Sequence, residues 1–284
     1  MYNLRYHIAS LVAVFLSLAV GLILGSVVVE RGTLDRQQST LVAGLNDEFS
    51  RIKNENDALN NDLRGYEGFA VSAVPALVSE RLRGRVVVVL MNTGRSDGLS
   101  SVTRAISLAG GTPIVATFTR QGLGLDDPAV AKGLSAGSVI ATTTFEEMRR
   151  SVVASIAQEW WRPGAYRALT DALVKAGVLR FDRTLPPAGV NGVVVMASWD
   201  GKADPLALAL GQRMRDLGVG SVAAESLARP AGVTGPALEA GLSVVDDVDR
   251  PQGQVSVIFV LDGSAHGHFG VRRGADAGFA PLGK

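Results

Sequence analysis

Gly94-Arg95-Ser96-Asp97-Gly98 matches a catalytic pattern, G-x-S-x-G. In that pattern the serine rides a tight strand-to-helix turn that raises its hydroxyl for attack on a carbonyl, and a carboxylate and an imidazole base follow downstream. Asp246 or Asp247 and then His266 or His268 stand in that order. A blander account competes with it. Serine and aspartate ahead of a helix are ordinary N-caps, glycine suits the turn, and the histidines lie in a Gly-rich tail expected to be extended or mobile and to hold no ring rigidly. A serine hydrolase acting through Ser96 therefore ranks third among the functional readings, and no catalytic residue is assigned.

Metal chemistry has equally thin support. His266 and His268 flank Gly267 and would share one face of an extended segment, which makes them weak metal candidates. The chain has no cysteine, so thiolate ligation, thiol catalysis and disulfides are excluded. Met91, Met148, Met196 and Met214 fall in strand or helix patterns, where packing is the ordinary job of the thioether. Neither a Gly-Lys-Ser/Thr phosphate loop nor a G-x-G-x-x-G turn follows the first strand pattern, so no cofactor is expected. With 28 basic and 27 acidic residues, no excess charge is available to hold nucleic acid. Trp160, Trp161 and Trp199 are weak candidates for anchoring a protein partner.

The elements that position these residues begin with the first stretch. From Ile8 to Val29, 22 residues carry no charge, which at 1.5 Å per residue gives about 33 Å of helix, enough to cross a bilayer core. The reading is an uncleaved signal anchor over 1–32, with a cytoplasmic N-terminus and the bulk of the chain extracytoplasmic. Ala9, Ala13, Ser17, Gly21 and Gly25 recur every four residues, a small-residue face that lets two such helices approach closely in lipid. Beyond it, Leu45, Phe49, Ile52, Asn56, Leu59, Leu63 and Tyr66 alternate four and three residues apart among mostly polar neighbours. That spacing predicts a parallel coiled-coil stalk over 33–68, with Asn56 pinning the register and Gly65 and Gly68 marking the end.

Residues 69–262 read as an α/β domain with a mostly parallel, Rossmann-like sheet. Val86 to Met91 is a continuous apolar run of the kind buried in parallel sheets, followed by a helix pattern over Leu99 to Leu108 and a strand over Pro113 to Phe118. Val139 to Thr142 is a candidate strand, Phe145 to Trp160 a helix capped by Thr144, and Ala165 to Ala176 another helix. The theme returns with a strand at Val193 to Met196, a helix opened by Asp204-Pro205, and a strand at Val219 to Ala224. Ser243 to Val245 and Val255 to Leu261 are expected as late strands, and 263–284 as a Gly-rich tail.

The opening Asn3-Leu4-Arg5-Tyr6-His7-Ile8-Ala9 with its apolar continuation to Ser26, the coil, the Val86 strand and the closing Gly267-His268-Phe269-Gly270-Val271 resemble the actinobacterial MctB family along nearly the whole chain. That family is named for mycobacterial copper transport and includes SteB, a corynebacterial partner in septal peptidoglycan remodelling. The resemblance implies an envelope protein in copper homeostasis or a scaffold beside cell-wall hydrolases. One spanning helix makes no pore by itself, and no cluster of Cys, Met or His stands out for copper. The sequence expectation is thus a non-catalytic, membrane-anchored homodimer that binds an envelope or cell-division partner, with copper transport as the alternative.

Overall fold

The computed structural model describes residues 4–94, 97–136, 144–228 and 232–282, with backbone alone over 28–39 and 135–136. The chain divides into two units, 1–66 and 67–284.

The first unit consists of helix α1, which runs from Leu4 to Val78 and so continues into the second unit. Its segment Leu4–Val27 has mean hydropathy 2.6, long and apolar enough to cross a membrane. Gly65 and Gly68 do not end the helix, contrary to the local signal, and Pro75 lies inside it on an exposed face. Val74 and Val78 explain the continuation: both are buried in the core of the second unit, and that burial outweighs the roughly 1 kcal/mol that each glycine costs a helix.

The second unit is an α/β sandwich. Strand β1 (Val86–Asn92), helix α2 (Leu99–Leu108) and strand β2 (Thr112–Phe118) form the expected βαβ unit, with β1 and β2 parallel. Helices α3 (Pro128–Ala136), α4 (Phe145–Trp161) and α5 (Arg167–Lys175) precede β3 (Leu179–Phe181), an antiparallel edge strand that the sequence did not announce. Then come β4 (Gly192–Val195), the small hairpin β5 (Ser198–Trp199) and β6 (Lys202–Ala203), helix α6 (Pro205–Asp216) and β7 (Gly220–Ala224). Helix α7 (Thr234–Glu239), β8 (Ser243–Val245), helix α8 (Pro251–Leu261) and β9 (His268–Phe269) complete the chain. The main sheet has the order β3-β2-β1-β4-β7-β8-β9, parallel apart from β3.

Both faces of this sheet are covered, as continuous apolar strands require. Val88 and Leu90 of β1 point into a core filled by α4, α5 and α6, whereas Val87, Val89 and Met91 face α2, α8 and the end of α1. Asp204 fixes α6 from within. Its Oδ1 accepts from the amides of Leu206 and Ala207 at 2.9 and 3.0 Å, and its Oδ2 accepts from the Trp199 indole at 2.9 Å and the Gly122 amide at 2.7 Å.

Two further expectations are corrected. Val255 to Leu261 is the body of α8 rather than a strand, because a run apolar on every side suits a helix buried on every side, and Pro251 starts it at N1. Nor is the Gly-rich tail mobile. It adds β9 to the sheet, buries Ala265, Phe269 and Ala280, and ties the Ala280 amide to Ser256 Oγ at 2.9 Å. The strand expected at 139–142 falls outside the described residues.

Candidate functional site

The strands β1, β4, β7 and β8 end on one edge of the sheet, and the order reverses there between β1 and β4, the place where open α/β sheets form their crevices. Asn92, at the end of β1, accepts from the Ser198 amide through Oδ1 at 3.2 Å. Beside them a small cavity of about 20 Å³ is lined by residues that include Met91, Asp97, Met196, Glu225 and Ser226.

Further along this edge lies a chain of buried ionisable groups. Glu225, just past β7, takes the Gly232 and Val233 amides on Oε1 at 2.6 and 3.1 Å and the Thr234 hydroxyl on Oε2 at 2.8 Å. Asp246, just past β8, faces His268 of β9, with Oδ2 2.6 Å from Nε2. The same carboxylate receives the amides of Val271 at 2.9 Å and Arg272 at 3.3 Å. Gly270 has φ 139°, and a Cβ there would strike the Asp246 carboxylate, so glycine is the residue that lets the loop wrap this acid. Arg272 stands 3.9 Å from Glu225 and donates to the Ser226 carbonyl at 3.1 Å. Asp247 is fully buried and neither of its carboxylate oxygens has a hydrogen-bond partner. Burial, and then the charge of Asp246, push its pKa up to about 7.

The structure thus pairs Asp246 with His268, and the tail holds the imidazole firmly, contrary to expectation. Its Nε2 faces the carboxylate, while Nδ1 is buried without a partner. The ring is 2% exposed, so it braces β8 against β9 and offers no face to a substrate. Ser96 lies outside the described residues. His266 does not share a face with His268. It is exposed, lies before β9 begins, and is separated by Gly267 at φ 135°. Among the described residues no three His, Cys, Asp or Glu side chains form a metal-binding group.

The remaining candidate residues are placed as follows. Ala13, Ser17, Gly21 and Gly25 are exposed on the apolar part of α1, and a Cβ on either glycine would meet nothing. Leu45, Phe49, Ile52, Leu59, Leu63 and Tyr66 are all exposed on α1. Asn56 is exposed as well and accepts from Asn60 Nδ2 at 2.7 Å. Trp160 is buried, edge-on to Phe181 at 6.0 Å, so it is no surface anchor. Trp161 lies under the Arg162 guanidinium at 4.0 Å, and Trp199 is committed to Asp204. Glu225 carries no motif. Its position just past an apolar strand in a parallel sheet is the signal that could have found it.

Comparison with known proteins agrees with the whole-chain resemblance. The profile described as "Copper transport outer membrane protein, MctB" matches residues 1–279. Proteins named "Copper transporter MctB" from Mycobacterium bovis and Mycobacterium tuberculosis are 27% identical over 325 aligned positions, which cover 97% of this chain and 98% of theirs. No solved structure matches the chain. With its apolar N-terminal helix, its mostly parallel α/β sheet and this full-length match, the chain belongs to the MctB family.

Proposed function

We propose that the protein serves copper homeostasis at the cell membrane as a single-pass, self-associating envelope protein whose α/β unit lies outside the cytoplasm. The observation that carries this reading is the match over residues 1–279 to a copper transport family, and it ranks copper above the scaffold role that the residues alone favoured. Among the described residues one helix is long and apolar enough to span a membrane, and a single such helix supplies no closed pathway for an ion. The copper function therefore requires several chains together, or a partner that conducts. The small-residue face of the span and the exposed apolar seam from Leu45 to Tyr66 supply the surfaces for pairing. Copper is the cargo in this reading, and the α/β unit is non-catalytic.

Removing the protein from the producing cells is expected to lower copper tolerance severalfold and raise cell-associated copper. The full chain should restore both, and a chain lacking residues 4–27 should not. Unchanged tolerance and copper content would refute the proposal. A second reading, a scaffold for an envelope or cell-division protein, is favoured by the exposed seam, since an apolar stripe of that length is a protein-binding surface. Septation defects with normal copper tolerance would select it.

A further inference from the structure

Met91 and Met196 stand side by side on the main sheet. The register of β1 on β4 pairs Leu90 with Val195, and the Met196 amide continues the ladder by donating to the Leu90 carbonyl at 2.9 Å, so the next position sets the two methionines opposite each other. Both belong to the core that α2 and α8 cover, and neighbouring strands run about 4.8 Å apart. With three rotatable bonds in each side chain, both sulfurs can reach one atom. The pair lies where the sheet order reverses, the crevice position of open α/β sheets.

The two methionines also share a cavity. It is the small one of about 20 Å³, whose lining also includes Asp97, Ala224, Glu225 and Ser226, and a volume of this order holds one water-sized occupant. In the same row of the sheet β7 offers Met196 only the methyl of Ala224. Methionine is the side chain that adapts to fill gaps, yet here two of them leave one. Gly98, next to Asp97, packs so closely that a Cβ would lie 3.3 Å from the Met196 methyl, which brings the Asp97 turn onto the pair. Glu225 is committed to the Gly232 and Val233 amides, to Thr234 and, at 3.9 Å, to Arg272. The donors are therefore two soft thioethers with Asp97 as the acid. Water needs only oxygens, whereas paired thioethers suit a soft cation.

We infer that this cavity binds one copper(I) ion between the Met91 and Met196 sulfurs, with the Asp97 carboxylate offsetting its charge. The donor set follows from the fold, and the choice of copper among soft cations rests on the copper function proposed above.

The test uses the full chain in lipid nanodiscs under ascorbate, competing for Cu(I) against the chromophoric chelator bicinchoninate. Wild type is expected to withdraw one Cu(I) per chain, and Met91→Leu/Met196→Leu to bind at least about tenfold more weakly. Leucine nearly conserves the volume, so the urea midpoint should stay close to wild type. Zn(II), a harder ion, should not compete. A second readout needs no variant fold: among the five methionine methyl carbons, two should shift on Cu(I) addition, and single Met91→Leu and Met196→Leu substitutions should each remove one of them. No saturable binding, an affinity unchanged in the double variant, equal competition by Zn(II), or shifts confined to other methionines would overturn the inference. Copper tolerance of cells lacking the protein tests the function separately: Cu(I) held by the pair in a protein without effect on tolerance leaves the site standing and removes the function.

Discussion

Asp246→Ala is expected to destabilise the α/β unit by about 3–5 kcal/mol, the cost of removing one partner from a buried, hydrogen-bonded charge cluster. The carboxylate is fully buried and holds His268 Nε2 together with the Val271 and Arg272 amides. Alanine removes the shared partner of the buried His268 ring and of the part-buried Val271 and Arg272 amides, and it unties β9 and the loop behind it from β8. Against a typical domain stability of about 5–15 kcal/mol, such a loss brings the unit close to unfolding at growth temperature. All three tryptophans, Trp160, Trp161 and Trp199, lie in this unit, so their fluorescence in a urea titration of the full chain reports it without interference from α1. Asp246→Asn, which keeps one acceptor oxygen, should lose clearly less. A midpoint for Asp246→Ala within error of wild type would show that the network does not hold the tail.

Asp247 is expected to make the same unit lose stability as pH rises. Burial and the neighbouring Asp246 push its pKa from 3.8 up to about 7 in the folded chain. Between about pH 4 and 7 the folded state therefore keeps a proton that the unfolded state has released, and stability falls over that window by up to about 4 kcal/mol. Below the window both states are protonated and the penalty vanishes. Above it both are ionised and the penalty is complete. Asp247→Asn cannot ionise, so its unfolding free energy should lack this decline between pH 5 and 8, whatever its absolute value. Parallel pH profiles for wild type and variant would show that the buried carboxylate is not a proton-linked group.

Much of this architecture is readable from residue order. The apolar run of β1, the N-cap at Asp204 with Pro205 behind it, and Thr144 ahead of α4 are local signals that tertiary packing reinforces. The failures came where packing overrules the local code. Val255 to Leu261 is apolar all round, and such a run does not say whether it is strand or helix until its surroundings are known. Gly65, Gly68 and Pro75 fail to stop α1 because Val74 and Val78 bury against the core. The Gly-rich tail looked loose because its order derives from distant contacts, among them Asp246 with His268 across 22 residues and the Ala280 amide with Ser256. Asp246 and His268 were visible as residue types in the right order, but their pairing depends on β8 and β9 lying side by side, which no local pattern encodes.

With one membrane-length apolar helix among the described residues, the copper reading needs that helix to associate, with further copies of the chain or with a conducting partner, and the exposed seam points to further copies. Residues 45–66 place an apolar seam in solvent along α1, and exposure of that length has no stabilising role in a solitary chain. The absence of cysteine makes the test clean, because any disulfide must come from an introduced thiol. Leu59→Cys lies on the seam, and Ala58→Cys beside it points away. Mild oxidation in membranes from producing cells should give a disulfide-linked pair through position 59 and little or none through position 58. No crosslink at 59, or equal crosslinking at both positions, would contradict a tethered pair and the copper reading built on it.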